Sequence, residues 1–182
     1  MIKKSKTIAF IFLVLTLASI LGCSSSGDAD LAKANEKVKK LSPLTETPKI
    51  ADLDIKEIIV KKGLETDKLP QNTVILTYTD NKGEKENAEA YDKSIELLYG
   101  PYEGDKVATL SVSDIEVEFA NNMNTKTVNG LELLYTEIND SLLIYARHNG
   151  LSYTYEAQIT NKYTKDKQFE LFSKAITYNE TD

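Results

Sequence analysis

The chain has 182 residues, with 28 Asp+Glu against 22 Lys+Arg, one histidine, one cysteine and no tryptophan. An acidic balance argues against nucleic acid or anionic lipid as a generic electrostatic partner. A single cysteine excludes an intramolecular disulfide and a thiolate metal cluster, and a single histidine excludes a multi-histidine centre.

Lys3, Lys4 and Lys6 make a positive start, and Ile8 to Gly22 follow without a charge. A spanning helix needs about 20 apolar residues. This run is shorter and ends at Gly22-Cys23, which reads as the apolar region of a signal peptide over residues 1–22. Ile20-Leu21-Gly22-Cys23 resembles the lipobox of bacterial lipoproteins, with Ile20 where the family more often has Leu. The resemblance implies a diacylglyceryl group on the Cys23 thiol, cleavage before it, N-acylation of the new terminus, and residence on the extracytoplasmic face of the cell membrane. An uncleaved anchor and an ordinary secretory signal are the competing readings. Loss of residues 1–22 would leave 19 Lys+Arg against 28 Asp+Glu, a net charge of −9. Membrane contact would then come from lipid and not from the protein surface.

Residues 23–43 read as the lipidated cysteine, a small polar tether to about Asp30, and a short helix. In that helix Leu31, Ala34, Val38 and Leu41 recur at helical spacing, Asp28 or Asp30 caps, and Pro43 stops. Residues 44–182 read as a single domain of ordinary size, able to bury a core without a covalent staple. Ile55–Lys61, Val74–Thr79 and Ser94–Tyr99 read as strands. Asp114–Phe119 reads as a strand with Ile115, Val117 and Phe119 on one face and Asp114, Glu116 and Glu118 on the other. Leu131–Ile138, Leu142–Arg147 and Leu151–Ala157 form a three-stranded meander, turned by Asn139-Asp140 and by His148-Asn149-Gly150. Phe169, Phe172 and Ile176 then mark one face of a helix near Asp166–Ile176. The expected class is α+β: an antiparallel sheet of about six or seven strands with a C-terminal helix packed on it.

The run NGLELLYTEINDSLLIYARHNGLSYTYEAQ, followed by KQFELFSKAI, resembles a domain of unknown function in lipoproteins and anti-sigma-factor ectodomains of low-GC Gram-positive bacteria. Asn129-Gly130, Asn149-Gly150, Tyr153 and the Phe169–Ile176 helix occupy the positions that define it, and Tyr145 stands where members often have Trp. The resemblance implies a fold like that of lipoprotein carriers, a curved sheet with an apolar concave face, and brings no activity.

Few residues offer chemistry. His148, the sole histidine, sits by a hairpin turn and suits an exposed turn residue better than a triad or zinc site. Asp114, Glu116 and Glu118 could gather a hard cation, but no loop folds them around one, so a solvated strand face is the simpler reading. Gly100–Lys106 lacks the spacing of a phosphate loop. Tyr135, Tyr145, Tyr153 and Tyr155 all fall on the meander, either as a binding face or as core packing between sheet and helix. The composition therefore favours a binding or interaction module for an envelope ligand or protein, with no cofactor and no metal. The alternative is a small envelope hydrolase using carboxylates.

Overall fold

The computed structural model describes residues 26–63, 71–88, 91–118 and 123–178. Cys23, the run before it and Phe119 lie outside these residues. The chain divides into two compact units, Met1–Lys33 and Ala34–Asp182, and the sheet belongs to the second. No helix among the described residues is long and apolar enough to cross a membrane.

The first helix, α1 (Ser26–Leu41), begins five residues before Leu31. The tether expected to reach Asp30 is thus helical from Ser26, and Asp28 and Asp30 lie inside the first turns and do not cap. Ala34 and Val38 are buried, so this part of the helix packs as core and not as a stalk. Polar contacts fix it: the Asn72 amide donates to the Leu41 carbonyl (2.8 Å), and the Thr47 hydroxyl donates to Asn35 Oδ1 (2.5 Å).

Eight strands follow: β1 (Asp54–Lys61), β2 (Thr73–Thr79), β3 (Ile95–Tyr99), β4 (Lys106–Ser113), β5 (Asn124–Val128), β6 (Leu131–Ile138), β7 (Ser141–His148) and β8 (Leu151–Gln158). They form one antiparallel sheet in the order β3-β1-β2-β4-β8-β7-β6-β5. The count is eight and not six or seven, for two reasons. The described part of the expected Asp114–Phe119 strand, Asp114–Glu118, is not a strand: β4 stops at Ser113 opposite Ser152, one residue from the start of β8, and beyond it there is no edge to pair with. Alternation without a partner strand leaves Ile115 and Val117 exposed at 36% and 37%. In return β4 and β5 are strands. In β4, Ala108, Leu110 and Val112 alternate with Thr109, Ser111 and Ser113, an apolar face opposite a hydroxyl face.

The meander therefore has four strands, with turns at Asn129-Gly130, Asn139-Asp140 and Asn149-Gly150. Asn129 and Asn149 take φ of 50° and their glycines 81° and 80°, the doubly left-handed turn that suits strand twist. Asparagine tolerates that region at low cost and glycine at none.

Helix α2 (Lys165–Thr177) covers one face of the sheet and is N-capped by the Thr164 hydroxyl. Phe172 lies 5.3 Å from Tyr155 between ring centres, and Phe169 meets Tyr135 edge-on at 5.0 Å. The Tyr155 hydroxyl donates to Gln168 Oε1 (2.7 Å), and Gln168 Nε2 donates to the Gln158 carbonyl (3.0 Å). A fully buried glutamine is thereby satisfied at both ends of its amide. Register places Ile58, Leu76, Leu110, Tyr155 and Ile144 in one row across five strands of this covered face, and all five are fully buried.

Truncating the centre of this core should be costly. Phe172→Ala is expected to lose roughly 3–5 kcal/mol. Tyr155→Phe leaves Gln168 without its donor and should lose roughly 1–3 kcal/mol. Urea unfolding midpoints of the two variants check both values and their order.

Candidate functional site

The four meander tyrosines do not share a face. Tyr135, Tyr153 and Tyr155 fall on the helix-covered side by register, whereas Tyr145 pairs with Thr154 and points to the other. Tyr155 is fully buried and Tyr153 and Tyr145 are each 6% exposed. Tyr155 packs in the core, and burial raises its hydroxyl well above the usual phenol range.

The opposite face is of different composition. Across its middle run Thr73, Ile75 and Thr77 of β2, Thr109, Ser111 and Ser113 of β4, and Ser152, Thr154 and Glu156 of β8. At the β7 end of this face the sheet opens. The β6–β7 ladder starts at Ile138↔Ser141 and ends at Leu134↔Tyr145. Beyond that rung β6 remains paired with β5 down to Leu131↔Val128, and β7 with β8 up to His148↔Leu151. Three further rungs between β6 and β7 are not made, so the two strands fork. A cavity of about 410 Å³ occupies the fork, lined by Leu131, Glu132 and Leu134 on one side and Tyr145, Arg147 and His148 on the other. That volume falls in the ~300–1,000 Å³ range of small-ligand sites.

Arg147 is the strongest polar group in the fork. Its guanidinium donates to Ser152 Oγ (3.4 Å) and lies 3.8 Å from the Glu116 carboxylate. The Tyr145 hydroxyl shares the same Ser152 oxygen at 3.1 Å. Of the three acidic residues considered as a cation site, Glu116 is therefore engaged by an arginine. Among the described residues no group of three His, Cys, Asp or Glu could hold a metal ion. His148 lines the fork, with Nε2 3.2 Å from the Asn149 amide.

A second, smaller cavity of about 210 Å³ opens at the other end of the sheet, between Asp80, Asp105, Lys106 and Tyr163. Asp80 accepts hydrogen bonds from Lys162 and from the Tyr163 hydroxyl (2.7 Å). These hold its carboxyl below the usual range, Lys162 contributing most. An acid held ionised in this way is a tie between strand β2 and the segment before α2; proton donation calls for the opposite shift.

A third cluster lies beside edge strand β3. Lys82 donates to the Tyr99 hydroxyl (2.6 Å) and sits 4.3 Å from the centre of the Tyr102 ring. The lysine of this chain already fills the aromatic cradle. The Gly100–Lys106 stretch beside it is a turn, where Gly100 and Gly104 take φ of 79° and 124° and the Gly104 carbonyl accepts from Lys56 (2.7 Å).

Arg147, the heart of the fork, was not visible as a site from sequence. It stands in a strand as a lone charge, and only the failure of the ladder beside it makes a cavity. No family model matches the chain, and neither a curated protein nor a solved structure matches it.

The Asp80 tie gives a pH signature. Its carboxyl is lowered on folding, so its stabilisation is complete above the ordinary carboxylate value of about 3.9 and is lost as pH falls through the lower folded value. Asp80→Asn should unfold more readily than wild type at pH 6, and the two should converge in strong acid. Urea midpoints across that range test it; a constant gap at every pH contradicts the assignment.

Proposed function

We propose that this protein is a lipid-anchored lipoprotein of the cell envelope, held on the extracytoplasmic face through Cys23 and working as a binding module. The observation that carries the reading is the place of Cys23. The sole cysteine of the chain closes an uncharged run that begins just after three lysines, and Ser24-Ser25-Ser26 follow. Thioether and amide-linked acyl chains suit an acidic domain with no electrostatic attraction to anionic headgroups. One chain gives only marginal binding, and two hold firmly at about 0.8 kcal/mol per buried methylene.

The sequence of turn, strand, turn, strand, turn, aromatic strand and helix from Asn129 to Ile176 supports the same reading through its resemblance to lipoprotein and anti-sigma-factor ectodomains. For the binding role, the support is the fork between β6 and β7: a cleft lined by Leu131, Leu134 and Tyr145 together with Glu132, Arg147 and His148.

Metabolic labelling with an alkyne-tagged fatty acid tests the anchor. The wild-type chain should take up label and fractionate with membranes. Cys23→Ser should take up none and accumulate as unprocessed or released protein. Equal labelling of both overturns the proposal.

A further inference from the structure

We infer that the fork between β6 and β7 takes the C-terminal end of an extended peptide, with the terminal carboxylate on Arg147; this rests on the reading of the protein as a binding module and names its ligand class.

Three observations converge. The first is the unmade ladder. Leu131 to Leu133 keep their β5 partners and Ala146 and Arg147 keep their β8 partners, yet no rung joins the two inner edges. Main-chain N–H and C=O groups on facing strand edges are complemented by another extended main chain, the chemistry of strand addition. A purely hydrocarbon ligand would leave those groups unanswered.

The second is Arg147 and its present partner. Glu116 lies in the irregular stretch after β4, its side chain 72% exposed, and approaches Arg147 no closer than 3.8 Å. An exposed pair of this kind is weak and easily exchanged. The Glu116 carboxylate is an in-chain stand-in for a ligand carboxylate. A ligand carboxylate arriving in the cleft can take two parallel guanidinium N–H bonds, the stronger arrangement.

The third is the lining. Leu131, Leu134 and Tyr145 give the last side chain of the peptide an apolar wall. Glu132 lines the same cavity as Arg147. A carboxylate in the cleft makes each further negative charge there less favourable, so a monoanionic chain end is accommodated better than a phosphate dianion.

The test uses the full-length protein in detergent and three N-terminally fluorescein-labelled tripeptides ending in Ala, Leu or Tyr. Each is made as free acid and as C-terminal amide, and binding is read by fluorescence anisotropy. At least one free acid should bind roughly tenfold tighter than its amide, as a charge-assisted bidentate bond would give. Arg147→Gln should erase that difference. Glu116→Gln should tighten the acids several-fold and leave the amides unchanged. This last variant tests the site even where the arginine variant unfolds. Inorganic phosphate should not compete. If no acid outbinds its amide, or Glu116→Gln weakens the acids, the inference is overturned. Octanoate displacing the peptides at lower concentration than unlabelled peptide would also overturn it, assigning the fork to an amphiphile. None of these outcomes depends on fatty-acid labelling of Cys23, so the two proposals fail separately.

Discussion

The contact between Tyr155 and helix α2 is the constraint from which the rest of the fold follows. Tyr155 stands near the middle of the sheet order, and its ring packs on Phe172 while its hydroxyl satisfies Gln168. A twisted antiparallel sheet with one apolar face needs that face covered. Here α2 covers the part of that face made by β5, β7 and β8. Ala34 and Val38 of α1, with Leu44 and Ile50, are also in the core. Gln168, held by Tyr155 and by the Gln158 carbonyl, fixes the rotation and height of α2. A hydrocarbon pair at this point would bury as much area and leave the helix free to slide. The phenol–amide bond has one geometry.

Covering one face decides what the other face can do. The side chains that alternate away from the core in β2, β4 and β8 are mostly Thr and Ser, with Ile75 and Glu156, and range from buried Ser113 and Ser152 to exposed Glu156. The fork opens at the edge of this surface. It exists because β6 keeps β5 and β7 keeps β8 as outer neighbours past the point where their common ladder ends. Strand twist accumulates between neighbours, and two strands committed to different outer partners part at the end away from their shared Asn139-Asp140 turn. The stability cost is the loss of three rungs; the gain is a cleft within an otherwise continuous sheet.

The charges near α2 follow a related logic. Lys126 pairs with Asp166 at 2.7 Å and lies over the Phe169 ring, and Lys165 pairs with Glu137 at 2.7 Å and lies over Tyr135. Each lysine ties the start of the helix to β5 or β6 by its charge and lays its ammonium over an aromatic ring. These are surface contacts of small individual worth, placed where the buried core thins toward the edge of the sheet.

Much of this was legible in the residues. The ten-residue recurrence of Asn129, Asn139 and Asn149 fixes three turns and therefore eight-residue strands between them, and the signal at Asn129 was strong enough to have announced β5. Strand β4 was also readable, its alternation of Ala108, Leu110 and Val112 with hydroxyl residues being weak only because Ala and Ser carry little hydropathy contrast. Local pattern determined strand positions, turn chemistry and the apolar stripe of α2, since each depends on side chains within a few residues of one another. The tertiary structure decided which patterns found a partner. Asp114–Glu118 alternates well and is no strand, because its neighbours end where it begins. Tyr145 parts from Tyr153 and Tyr155 because strand pairing, and not composition, assigns faces. Arg147 becomes a site only where β6 leaves β7. Pairing is a property of two strands and of how far their ladder runs, and the residues of either strand alone do not carry it.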